Sequence, residues 1–230
     1  MKGKRLLYQG VRTEVIRGTG ADKGFPIKGV LFDFDGTLTV PGAINFKAIK
    51  RDLGCPLDQP ILEYIEKQPA ERRALLKEML ETHEEAAARE SIPNRGVNAC
   101  LSNLGRMKIP FGILTRNSLR SIQTALSSFR GFSMTDFAVV ITRDNSLPKP
   151  HPDGVIKAAF AMGFPPEELL VVGDFRFDII AGKSAGAKTV YLTNGQETTM
   201  ERGDPDPDFV CRHLPEVVDI LKLLSGNTCG

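Results

Sequence analysis

The chain has 230 residues, of which 41% are hydrophobic and 25% charged, with a formal net charge of +2. A chain of that length buries one sizeable core, alone or with a small appended lobe. So balanced a charge gives no reason to expect nucleic acid as a partner. No apolar run approaches the roughly 20 residues that span a bilayer, and the basic start lacks the long apolar segment of a secretory signal. Small-molecule partners, no membrane and a cytoplasmic setting are therefore expected; the sequence carries no signal of oligomeric state.

Residues 1–25 set Lys2, Lys4, Arg5, Arg12, Arg17 and Lys23 against Glu14 and Asp22 and read as a basic N-terminal arm. The Gly18, Gly20 pair fails as a dinucleotide fingerprint, because the next glycine falls one residue too late. The apolar run Val30 to Phe32, entered from Pro26, then predicts a strand buried on both faces. Asp33 and Asp35 interrupt it. Strand alternation points both carboxylates one way and Phe34 the other, and Gly36 lets the backbone turn. In open α/β sheets ligands bind at the carboxyl ends of strands. Aspartates beside glycine are also ordinary turn residues. Two like charges at the end of an apolar strand are nonetheless costly unless a cation or donors meet them, and Mg²⁺ held by carboxylates and carbonyls meets that need.

Residues 42–92 are mostly helical by pattern: a short helix from Asn45 through Asp52, Ile61, Leu62 and Ile65 at helical spacing, then a Glu- and Ala-rich run to Arg89. They read as a small inserted helical lobe whose charges, including Arg72, Arg73, Lys77 and His83, are expected to form a solvated face, with room for one or two to reach into the cleft. Beyond it, helix and strand alternate: a helix near 95–107, a strand at 110–115, a helix at 118–128 and a strand at 137–142. A helix at 152–162, a strand at 169–172, a helix at 178–185 and a strand at 189–192 follow. A short strand at Phe209-Val210 and a helix at 215–224 precede a closing tail. Such alternation calls for a parallel sheet with right-handed crossovers and helices on both faces. Cys55, Cys100, Cys211 and Cys229 include no CxxC pair and are expected as free thiols, and His83 has no second histidine at zinc-protease spacing.

Three further polar constellations fall at expected strand exits. Thr115, with the backbone N–H groups of Arg116 and Asn117 after it, suits an anionic oxygen at a helix N-terminus; an N-cap role for Asn117 or Ser118 fits equally well. Lys149 sits between Pro148 and Pro150, which restrict its backbone and aim its ammonium at the two acids. Gly173-Asp174 ends a buried strand and Asp178 follows four residues later; both acids suit a hard cation, although Asp178 alone would also cap a helix. Gly182-Lys183-Ser184 lacks the earlier glycine of a phosphate-binding P-loop.

In this order and spacing the four stretches resemble the haloacid dehalogenase-like hydrolase superfamily over roughly residues 27–194, in its phosphoglycolate phosphatase-like branch with a small helical cap. Asp33-Phe34-Asp35-Gly36-Thr37-Leu38 matches the first motif, Thr115 the second, Lys149 the third, and Gly173-Asp174 with Asp178 the fourth. The resemblance implies a Rossmann-like core over 26–41 and 93–224, with 42–92 as the cap. It implies a Mg²⁺-dependent phosphatase acting on a small phosphorylated metabolite through an aspartyl-phosphate. Asp33 would be the nucleophile and Asp35 the acid and base. Lys149 and Thr115 would hold the phosphoryl oxygens, with Arg116 and Asn117 nearby to select the ester. Asp33, the Asp35 carbonyl, Asp174 and Asp178 would hold the metal. The second acid, Asp35, favours phosphoryl transfer over dehalogenation. A sugar-phosphate mutase uses the same acids and is the nearest alternative; a non-catalytic binding module is the remaining one.

Overall fold

The computed structural model describes residues 26–225. The expected basic arm over 1–25 and the tail beyond Ser225 lie outside the described residues. Six strands form one parallel sheet: β1 (Gly29–Phe32), β2 (Phe111–Leu114), β3 (Val139–Ile141), β4 (Leu169–Gly173), β5 (Lys188–Leu192) and β6 (Phe209–Cys211), in the order β3-β2-β1-β4-β5-β6. The helices between them are α4 (Val97–Arg106), α5 (Leu119–Leu126), α6 (Asp153–Met162) and α7 (Arg176–Ala185), with α8 (Glu216–Leu224) the last helix of the described residues. This is the α/β architecture that the alternation implies.

Alternating side chains of each strand feed two cores. Val30, Phe32, Ile113, Val172 and Val190 pack with α4, α5 and α8 on one face. Leu31, Leu114, Ile141 and Val171 pack with α6 and α7 on the other. A strand covered on both faces has no use for polar positions, which is why β1 and β4 are apolar throughout. Gly182 serves this packing: a Cβ there would stand 2.5 Å from Thr189 Cγ2, so α7 approaches β5 only without a side chain at that point.

The expected element ends shift by one or two residues. The ladder runs past the trimmed ends of β2, since the Pro110 carbonyl accepts from Val30 N–H (3.0 Å) and Thr115 N–H donates to Ile141 O (2.9 Å). β3 begins later than expected because Phe137 leaves the strand to enter the core beside Phe111, their rings edge to face at 5.4 Å. Helix α7 begins at Arg176, two residues before the expected start, so Asp178 falls in its first turn.

Between β1 and α4 lie three cap helices, α1 (Phe46–Leu53), α2 (Ile61–Glu66) and α3 (Ala70–Arg89). Asn45 caps α1 by accepting from Ala48 N–H at 3.1 Å, and Gly54 ends it at φ +68°. Ile44, Ile49, Leu53, Ile65, Leu76 and Leu80 give these helices a small core of their own. On their outer surface Lys77 and Arg73 pair with Glu66, and His83 with Asp52. The chain leaves and rejoins the core at one place. Thr39 bridges Pro93 in antiparallel sense, Val40 N–H donates to Ile92 O (2.9 Å), and Asn94 N–H to Leu38 O (2.8 Å). No helix among the described residues is long and apolar enough to cross a membrane. Cys55, Cys100 and Cys211 are free and buried; Cys229 lies outside the described residues.

Candidate active site

From β1 the chain runs outward through β2 to β3, then returns to β4 on the other side of β1, so the sheet reverses direction between β1 and β4. Crevices at such reversals bind ligands. Asp33 follows β1 and Asp174 follows β4, and the Asp33 N–H still donates to Val172 O at 2.9 Å, so the two strands deliver both acids to the same end of the crevice.

Next to Asp33 the backbone forms a wide turn, Phe34–Leu38, closed by Thr39 N–H donating to Phe34 O at 3.0 Å. Gly36 lies at φ +78°, and a Cβ there would sit 2.1 Å from Asp174 Oδ2. Likewise a Cβ on Gly173 would sit 2.1 Å from Asp178 Cγ. The two glycines are thus what allow the carboxylates to close in. Thr37 Oγ1 donates to Asp174 Oδ1 at 3.1 Å. Carboxylate oxygens of Asp33, Asp174 and Asp178 all lie within 4.8 Å of one another.

Lys149 reaches this cluster from the loop before α6. Its ammonium is 2.6 Å from Asp33 Oδ1 and 2.5 Å from Asp178 Oδ1, and donates to Leu114 O at 2.9 Å. Burial alone would lower the Lys149 pKa, but Asp178 and Asp33 outweigh it and hold the group above its ordinary value. Asp178 both caps and pairs, since its Oδ2 accepts from Phe175 N–H at 3.1 Å. Burial, then repulsion from Asp33, raises the Asp178 and Asp174 carboxyls alike. For Asp35, burial leads, with Asp33 and Glu84 adding to it, and the carboxyl is pushed up to about 7.

The second-motif stretch meets Asp35 through Asn117, whose Nδ2 donates to Asp35 Oδ2 at 2.6 Å. Thr115 is buried at the exit of β2, and its Oγ1 accepts from Asn117 N–H at 3.2 Å; its side chain makes no hydrogen bond to the acids. Arg116 turns away from them. Its guanidinium grips Glu63 of α2, donates to the Lys149 carbonyl and lies 5.1 Å over the Phe177 ring. Arg176 is likewise committed, to Asp204 and Glu201. Asp33, Asp35, Lys149, Asp174, Asp178 and Asn117 therefore converge directly, Thr115 is one bond removed, and Arg116 joins the cap.

Two asparagines that sequence reasoning passed over hold the turn in place. Asn94 Nδ2 donates to Thr37 O (2.8 Å) and to Asn194 Oδ1 (3.0 Å), while Asn194 Nδ2 donates to Gly36 O (2.6 Å). Their flanking glycines, Gly96 and Gly195, signal turns but say nothing of partners so far away in sequence. Glu84 was missed too. Although on the cap, it is only 5% exposed, pairs with Arg143 at 2.5 Å and lines, with Asp35, Asn117 and Ser121, a cavity of about 10 Å³. A larger cavity of about 70 Å³ opens between Asp35, Asp174 and the 40–44 stretch that enters the cap.

The family model for haloacid dehalogenase-like hydrolase matches residues 40–192. The chain belongs to that family. It is 32% identical over 170 residues to an uncharacterized hydrolase of Saccharomyces cerevisiae, covering 73% of this chain and 78% of the yeast protein. With pyrophosphatase PpaX of Halalkalibacterium halodurans it shares 28% identity over 217 residues, 85% of this chain and 97% of that one. A solved hydrolase from Pseudomonas syringae superposes with a TM-score of 0.71 at 22% identity, covering 86% and 99% of the two chains. This hydrolase is therefore an enzyme whose fold is that of its family, with cap helices beside the sheet.

Proposed function

We propose that the enzyme is a Mg²⁺-dependent phosphatase that hydrolyses a small phosphorylated metabolite through an aspartyl-phosphate. The observation that supports the reading is the contact of Lys149 with both Asp33 and Asp178 beside Asp174, which gathers a buried ammonium and three carboxylates in one crevice. The donor set fits a hard divalent ion: all three groups are carboxylates, and Asp174 and Asp178 are raised by burial and then by repulsion from Asp33, both of which a bound cation would relieve. Asp33, Asp174, Asp178 and the Asp35 carbonyl would hold Mg²⁺, which when bound supplies the positive charge that lets two anions meet.

An Asp33 oxygen attacks phosphorus, and the bond from phosphorus to the ester oxygen breaks as Asp35 gives that oxygen its proton. A carboxyl pushed up to about 7 retains that proton near neutrality. Water then attacks the phosphoryl group, Asp35 takes the water proton, and the bond to Asp33 breaks to release phosphate. Lys149 and Thr115 offset charge on the phosphoryl oxygens. Asn117 orients Asp35. The names of relatives agree with phosphate chemistry, among them N-acetylmuramic acid 6-phosphate phosphatase of Pseudomonas aeruginosa, 25% identical over 222 residues.

The test is Mg²⁺-dependent release of phosphate from an aryl phosphate, compared with Asp33→Asn. No release above that variant across a metabolite panel sinks the proposal; conversion of a sugar phosphate with no net phosphate release identifies a mutase instead.

A further inference from the structure

Asp35 must touch the leaving oxygen to protonate it, so the leaving group occupies a space that Asp35 borders. Two cavities formed by described residues border it. The smaller, about 10 Å³, holds no more than a water-sized group and is walled by Glu84. The larger, about 70 Å³, is bounded by Gly36, the Val40-Pro41-Gly42-Ala43-Ile44 stretch and Phe46, with Asp35 and Asp174 its sole charged walls. Neither cavity is lined by a lysine, arginine or histidine.

Among the described residues three guanidinium groups between cap and core hold cap carboxylates. Arg116 holds Glu63 through both nitrogens, Arg143 holds Glu84 at 2.5 Å, and Arg120 holds Glu85 at 2.8 Å. Lys149 is shared by Asp33 and Asp178. A second anionic group on the substrate would therefore enter a space whose lining offers it no lysine, arginine or histidine, where burial weakens solvent screening.

We propose, resting on the phosphatase reading, that the leaving group is a compact, uncharged alcohol. Esters whose leaving group carries a carboxylate or a second phosphate are discriminated against. Val40 to Ile44 and Phe46 form the wall that enforces this, by offering backbone and apolar surface where an anion requires a donor cation.

The experiment compares initial rates of the full chain with Mg²⁺ on glycerol 3-phosphate, 3-phosphoglycerate, pyrophosphate and an aryl phosphate. The first two differ chiefly in a hydroxymethyl against a carboxylate. Expected is a kcat/KM about 10-fold or more higher for glycerol 3-phosphate than for 3-phosphoglycerate or pyrophosphate. Equal or better turnover of either anionic-leaving-group substrate overturns the proposal, as does turnover of the aryl phosphate alone. Hydrolysis of none of them overturns the phosphatase reading itself. Phe46 is 56% exposed at the cavity rim, so Phe46→Arg leaves the cap core intact while adding a cation. It is expected to narrow the ratio at least 3-fold; an unchanged ratio shows that this wall does not face the leaving group and overturns the assignment.

Discussion

Arg116, in the turn after β2, holds Glu63 of α2 by two hydrogen bonds, Nη1 to Oε1 at 3.0 Å and Nη2 to Oε2 at 2.7 Å. The same guanidinium donates to the carbonyl of Lys149, so the contact that fastens the cap also touches the residue between Asp33 and Asp178. Glu63→Ala is expected to lower kcat/KM by roughly 2- to 10-fold, a modest loss because the pair is partly solvated. Glu63→Arg with Arg116→Glu should recover part of what each single change loses. Steady-state kinetics on all four proteins checks this, and strict additivity would deny that the pair acts as a unit.

Lys149 is 3% exposed, and its removal leaves buried acids facing one another. Breaking such a pair from one side costs about 3–5 kcal/mol, so Lys149→Met is expected to melt roughly 10 °C lower at pH 8 in the absence of metal. Acidification to about pH 5 should restore much of the difference as carboxylates take up protons. Mg²⁺ should also restore part of it, by binding the folded form alone. Thermal melts in chelator and in Mg²⁺ at both pH values provide the check.

Stability of the metal-free wild type should depend on pH through Asp35. Its carboxyl is raised from 3.8 to about 7 by burial, Asp33 and Glu84, so between those values the folded chain binds the proton more tightly than the unfolded one. The stability this contributes is full below the unfolded pKa and is lost as pH rises through 7. Asp174 and Asp178 are raised in the same direction and add to the loss. Melting in chelator is therefore expected to fall between about pH 5 and pH 8.5, and saturating Mg²⁺ to flatten the dependence. A metal-free melting temperature that rises over that interval would contradict the assignment.

Asn117 lowers the Asp35 proton affinity by donating to its ionised form, while burial acts the other way more strongly. Asn117→Ala should reduce kcat about 10-fold through lost orientation and move the alkaline limb of the rate profile upward by about half a unit to one unit. Asn117→Asp should not rescue it, because a carboxylate cannot donate. The pH profile on an alkyl phosphate reads both effects. A merely structural role would lower the rate and leave the limb in place.

The sheet was legible in the sequence because each strand is a short, largely apolar run closed by a polar residue, as in Val30 to Phe32 before Asp33 and Leu169 to Gly173 before Asp174. Periodicity also marked the helices between them. What escaped was anything decided between distant segments. Glu84 looks like one more charge in a Glu- and Ala-rich helix, and only packing against α5 and Arg143 makes it a buried wall beside Asp35. Asn94 and Asn194 read as turn residues, which they are, yet their amides converge on Thr37 and Gly36 from opposite ends of the fold. Arg116 was expected near a phosphate; its place is on a cap carboxylate 53 positions earlier, and no local pattern encodes that choice.

Thr39 and Pro93 are bridge partners, so the two ends of the helical insert are held together at the rim of the core, by a bridge outside the six-stranded sheet. The cost of joining those ends is settled at the rim and grows only slowly with the number of residues between them. A lobe tethered in this way can be lengthened, trimmed or traded for another while the acids on β1 and β4 keep their registration. Diversity in what the enzyme accepts is thus uncoupled, by the backbone itself, from the chemistry it performs.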